Sequence, residues 1–173
     1  MTTVAIADDS ALLREGLAGL LERQGFEIVA QESRADALRQ TVQQLAEQGR
    51  LPQLLITDVR MPPTMANDGL QAALDLKTAY PALSVLVVSQ YVAPVYAQQL
   101  FALPAAPDSG GSGYLLKDRV SQVADFIGTL RVVCAGGMVI DPEVARAMMR
   151  ASRSGLGELS PREFEVLELM ARG

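Results

Sequence analysis

Along the first 130 residues, short unbroken apolar runs alternate with longer stretches whose apolar positions recur every three or four residues. The runs at 3–7 (TVAIA), 27–31 (EIVAQ), 54–57 (LLIT), 84–89 (SVLVVS) and 113–117 (GYLLK) are rich in Val, Ile and Leu. Such runs read as strands buried on both faces. Between them, residues 11–24 align Leu13, Leu17, Leu20 and Leu21 on one helical stripe, and residues 35–48 align Leu38, Val42 and Leu45. Weaker helical patterns cover 69–80 and 94–103, and 119–135 turns Val123, Phe126, Ile127 and Leu130 inward. Five strand–helix repeats predict a parallel sheet with helices on both faces. Right-handed crossovers then bring every strand's C-terminal end to one edge. The expected fold is α/β: a flavodoxin-like, doubly wound, five-stranded parallel sheet of order 2-1-3-4-5.

Two stretches interrupt the rhythm. LPAAPDSGGSG (103–113) reads as a flexible loop, longer than most helix-to-strand connections. After the glycines of AGGMVID (135–141), Asp141-Pro142 reads as an N-cap and first residue of a helix over 142–152. A hinge follows at 152–158. Ser160-Pro161-Arg162-Glu163 is a capping box that opens a last helix bearing Phe164, Val166, Leu167, Leu169 and Met170. The expected division is a core domain at 1–131, a helix-bearing linker at 132–158, and one helix of a further domain at 159–173. The apolar stripe of that last helix is expected to dock on another surface of the chain or of a neighbour.

Composition narrows the chemistry. The 173 residues include 15 basic and 20 acidic side chains, a net charge of −5. Histidine is absent and cysteine occurs once, at Cys134, expected as a buried filler at a helix end. These counts exclude His-based triads, His-ligated metals and an internal disulfide. Lysine occurs only at Lys77 and Lys117. The surplus acid lies in the first 130 residues, and an acidic balance argues against a DNA-coating surface. With no leader-like start and no apolar run of membrane length, a cytoplasmic protein without a membrane partner is expected.

Asp8 and Asp9 follow the first strand, Asp58 the third, Ser89 ends the fourth and Lys117 the fifth. Singly, each has an ordinary role as a turn, cap or solvated residue. Jointly, they sit on one edge of the predicted sheet. Three clustered carboxylates call for a hard divalent cation such as Mg2+. Asp58 can then act as the nucleophile toward a phosphoryl group, with Lys117 pairing and Ser89 hydrogen-bonding to its oxygens.

IADDSALLREGL, LLITDVRMP, VLVVSQY and GYLLKD resemble the receiver domain of bacterial two-component response regulators over residues 2 to about 131. LSPREFEVLELMARG resembles the first helix of a LuxR-type helix-turn-helix domain, which points to the NarL/FixJ class of transcription regulators. The resemblance implies that Asp58 accepts a phosphoryl group from a sensor histidine kinase. It makes Asp9 the main Mg2+ ligand, with Asp8 and the backbone carbonyl of Arg60 beside it, and Ser89 and Lys117 contacts of the phosphoryl group. Tyr114 matches the aromatic that swings inward on activation, while Arg60 and Tyr91 flank the site at positions that influence phosphate lifetime. A homodimer is a further implied partner. DNA would be bound only through the part of the effector domain beyond residue 173, so a chain cut short of its recognition helix is expected. MPPTMANDG (61–69) and the 104–112 loop depart from the family pattern. Two other classes compete: a Mg2+-dependent phosphohydrolase with an Asp nucleophile, and a stand-alone receiver acting by protein contacts. The first would carry DxD after strand one, where this chain has DDS. A nucleotide or flavin binder would need a Gly-rich turn that ADDSA lacks.

Overall fold

In the computed structural model, which describes residues 1–153, each of the five apolar runs becomes a strand. These are β1 (Thr3–Ala7), β2 (Glu27–Glu32), β3 (Leu54–Asp58), β4 (Ser84–Ser89) and β5 (Ser112–Leu116). The helices are α1 (Ala11–Arg23), α2 (Ala35–Glu47), α3 (Asp68–Ala79), α4 (Pro94–Phe101) and α5 (Val123–Cys134). A 3-10 turn, Lys117–Ser121, precedes α5, so that helix starts later than its periodicity suggests.

The expectation of five strands is corrected to six. Met138–Ile140 forms β6, parallel to β5, and the order is β2-β1-β3-β4-β5-β6. Three residues after two glycines are too short to show a period, so the segment reads as linker. Its partner is the otherwise open edge of β5, which it covers. α6 (Pro142–Arg153) follows directly and packs against α4. Ile140, Val144, Ala145 and Met148 are buried there. The expected helix over 161–172, its capping box and its docking lie outside the described residues.

Alternate residues of each strand feed opposite cores, as the period of two requires. Val4, Ile6, Leu54, Ile56, Leu86, Val88 and Leu115 pack with α1 and α5. Ala5, Ala7, Leu55, Val85, Val87, Tyr114 and Leu116 pack with α2, α3, α4 and α6. Both faces are therefore buried, which is why the strands read as continuous apolar runs. Cys134 is half-buried beside the α1/α5 core, and burial raises its thiol pKa.

The loop after α4 is clamped at its base. Lys77 is buried and donates to Leu83 O (2.7 Å) and Gly110 O (3.0 Å). Gly111 N donates to Ser84 Oγ (3.1 Å) and to Val133 O (3.1 Å). A Cβ at Gly110 would strike the backbone of Leu83 and Ser84, so the approach demands glycine.

Candidate functional site

Strand register brings the functional ends level. Ala7 pairs with Thr57, Asp58 with Val88, and Ser89 with Leu116. Asp8, Asp58, Ser89 and Lys117 therefore lie side by side where β1, β3, β4 and β5 end. Each of these strands is a run of buried apolar residues that stops at a polar one, so the sheet's interior forces the polar groups to its rim.

Lys117 is the centre of the arrangement. Its Nζ lies 3.1 Å from Asp8 Oδ2 and 2.9 Å from Asp58 Oδ2. The second oxygen of each acid is held by backbone: Ser10 N donates to Asp8 Oδ1 (2.9 Å), and Val59 N to Asp58 Oδ1 (2.7 Å). Asp9 is exposed, while Asp8 and Asp58 are buried. Among the described residues, these three acids form a set whose ligand oxygens all lie within 4.8 Å of one another. Burial pushes the Asp58 pKa up; Lys117 opposes the shift and Asp8 adds to it. Burial alone would lower the Lys117 pKa, but Asp58 and Asp8 outweigh it and leave the amine firmly protonated. A buried, backbone-oriented carboxylate beside a fixed ammonium and two further acids suits transfer of an anionic group assisted by a hard cation.

The remaining expected residues stand at the rim. Ser89 is buried, and its Oγ accepts from Tyr91 N (3.0 Å). Arg60 is exposed and stacks its guanidinium over Tyr91, 4.2 Å from the ring centroid. Tyr114 is fully buried in the core that holds α4 and α6, and among the described residues its hydroxyl has no hydrogen-bond partner. Burial raises its pKa; Ser89 opposes that shift without the alignment of a true hydrogen bond.

Three contributors escaped the sequence reading. Arg14 Nη1 donates to Asp8 O (2.7 Å) and steadies the end of β1. Gly69 lets the start of α3 press on the end of β3, since a Cβ there would collide with Asp58 O. Asp141 reaches back to the strand that carries Lys117. For Gly69, the signal was a glycine in the first turn of a predicted helix; the other two contacts link residues whose partnership no local pattern reveals.

Comparison with known proteins agrees with this geometry. The profile of the response regulator receiver domain matches residues 4–122. The transcriptional regulatory protein RcsB of Escherichia coli (strain K12) is 29% identical over 173 residues, covering 98% of this chain and 74% of RcsB. LnrK of Bacillus subtilis (strain 168), also a transcriptional regulatory protein, is 26% identical over 188 aligned positions, covering 100% of this chain and 78% of LnrK. Among solved structures, the Salmonella typhimurium RcsB response regulator superposes with a TM-score of 0.70 at 25% identity, covering 100% of this chain and 79% of that one. A structure of two RcsB dimers bound to two parallel DNAs gives 0.69 at 26% identity, with coverages of 99% and 77%. Both of these relatives are transcriptional regulatory proteins, and among the described residues no helix is long and apolar enough to cross a membrane. With its profile spanning well over half its length, the chain belongs to the response regulator receiver family.

Proposed function

We propose that this chain is a cytoplasmic phosphorylation switch whose acceptor is Asp58 and whose donor is the phosphohistidine of a sensor kinase. The observation that carries this reading is Lys117 bridging Asp8 and Asp58 at 3.1 and 2.9 Å. An Asp58 carboxylate oxygen attacks phosphorus. The new P–O bond forms as the P–N bond to the donor imidazole breaks, and the departing nitrogen keeps the electron pair and is protonated. Lys117 then holds a phosphoryl oxygen in place of a carboxylate. The donor set is all oxygen and clustered, which fits a hard cation. Asp8, Asp9, Asp58 and the backbone carbonyl of Arg60 would hold Mg2+, which neutralises charge on the incoming phosphoryl group when bound.

Phosphorylation adds nearly two negative charges and strong acceptor oxygens. Ser89 turns its hydroxyl toward them, and Tyr114, whose buried hydroxyl has no partner among the described residues, follows the space that Ser89 vacates. The readout is transcription, through an effector domain beginning at 159–173 that binds DNA as a dimer, as the RcsB dimers do.

Incubation with acetyl phosphate and Mg2+ tests the reading by intact mass. One phosphoryl group is expected on the wild type and none on Asp58→Asn, with a weakened Mg2+ dependence in Asp9→Asn. Uptake by Asp58→Asn at the wild-type rate overturns the assignment.

A further inference from the structure

Asp141 is a fully buried carboxylate 24 residues beyond Lys117 in the chain. Burying a charge is costly unless it is paired and hydrogen-bonded. Four donors meet it. Oδ2 accepts from Leu116 N (3.1 Å) and Arg119 Nε (2.9 Å). Oδ1 accepts from Glu143 N (3.0 Å) and Arg119 Nη2 (3.3 Å). Its own N–H donates to Tyr114 O (2.7 Å).

These bonds span three pieces of the fold. Glu143 N belongs to the first turn of α6, so one oxygen caps that helix. Leu116 N is the last amide of β5, directly before Lys117. Arg119 lies in the turn that follows. Helix capping alone needs one acceptor and no arginine, so the other bonds ask for a different explanation. The side chain of Tyr114 shares a core cluster with Val144, Ala145 and Met148 of α6. The seat of α6 therefore has two ties to the strand of Lys117, one polar through Asp141 and one apolar around Tyr114.

We propose that Asp141, with Arg119, is a positioning residue that couples the seating of α6 to the placement of Lys117 at the phosphoacceptor. It rests on the phosphorylation reading above. The two-state element is α6, seated or released. Fixing Lys117 on a phosphoryl group holds the end of β5 and favours the seated helix. By thermodynamic reciprocity, a seated helix favours the phosphoryl-bound site.

Asp141→Ser separates the roles, because serine still caps Glu143 N but cannot reach Leu116 N and Arg119 together. Arg119→Gln removes the guanidinium from a side chain one-third exposed, and so tests the same link where Asp141→Ser fails to fold. The 173-residue chain is titrated with beryllofluoride and Mg2+ by calorimetry, and hydrogen exchange is followed over residues 142–151. In the wild type, beryllofluoride is expected to increase protection of α6. In either variant, this increase should disappear and beryllofluoride affinity should fall about fivefold or more. A merely structural Asp141 would lower the melting temperature of both states yet leave the affinity and the ligand-dependent protection unchanged, and that result overturns the coupling. Absence of beryllofluoride binding in the wild type would instead overturn the phosphorylation reading itself.

Discussion

Arg60 and Tyr91 stack across the gap between the ends of β3 and β4, with 4.2 Å between guanidinium carbon and ring centroid. Each stands two residues beyond a site group, Asp58 and Ser89 respectively. The pair bridges the two strand ends at the rim of the carboxylate cluster. Such a contact at an exposed position contributes about 0.5–1 kcal/mol. If it restrains water at the phosphorylated site, Tyr91→Ala loses the phosphoryl group about two- to fivefold faster, the rate equivalent of that energy. The check is the decay of phosphorylated protein after removal of the donor. An unchanged half-life would separate the stack from dephosphorylation.

Asp58→Asn should stabilise the metal-free protein. Burial and Asp8 both act against an ionised Asp58, while Lys117 retains Asp8 as a partner in the variant. A gain of about 1 kcal/mol corresponds to a melting temperature about 2–4 °C higher for a domain of this size. Thermal unfolding in chelator measures it, and a lower melting temperature would mean that the Lys117–Asp58 pair outweighs the cost of burial.

Gly69→Ala should damage fold and site together. The added carbon would collide with Asp58 O, and Met61 and the backbone of Asp58 leave no slack. The expected cost is about 1–3 kcal/mol, typical of overpacking. Slower uptake from acetyl phosphate should accompany it, because the displaced carbonyl belongs to Asp58, the proposed acceptor. Gly16→Ala, at an interior position of α1 with open space around it, is the control: it should leave uptake unchanged and raise stability by about 0.5–1 kcal/mol.

Lys77 supplies a pH dependence far from the site. Burial lowers its pKa below the ordinary lysine value of 10.5. Between the lowered value and 10.5, the unfolded chain binds a proton that the folded chain does not. Stability from this group therefore rises with pH across that window, and below it the folded state carries the cost of a buried charge. Lys77→Met lacks the effect. Urea unfolding of both proteins from pH 7 upward should show their stability difference moving in favour of the wild type. A constant difference would refute the shift.

The convergence of the carboxylates and Lys117 on one edge was legible in the sequence because parallel βα repeats leave no freedom about which strand ends share a rim. Asp8, Asp9, Asp58 and Lys117 needed only that rule to be brought together. Side-chain direction was not legible in the same way. Nothing local says whether Tyr114 points into the core or out of it, since that depends on what α4 and α6 offer opposite it. β6 escaped because three residues carry no usable period and its pairing with β5 is non-local. Asp141 was readable as a helix cap, a contact two residues long, but not as the partner of Leu116 and Arg119, which lie 25 and 22 residues away. Cys134, expected to be buried, is only half so, as befits the last residue of α5.

The clamp at the base of the loop after α4 also separates that loop's length from the integrity of the sheet. Lys77, Ser84 and Gly111 fix the returning end to the starts of β4 and β5, on the edge remote from Lys117. Residues 104–108 are all exposed. Additions at Ala105-Ala106 therefore load neither the strand register nor the carboxylate edge, because the anchoring bonds lie on the sheet side of the insertion point. A reporter peptide or fluorophore could be grafted there, giving this receiver a handle that would observe the proposed switch without taking part in it.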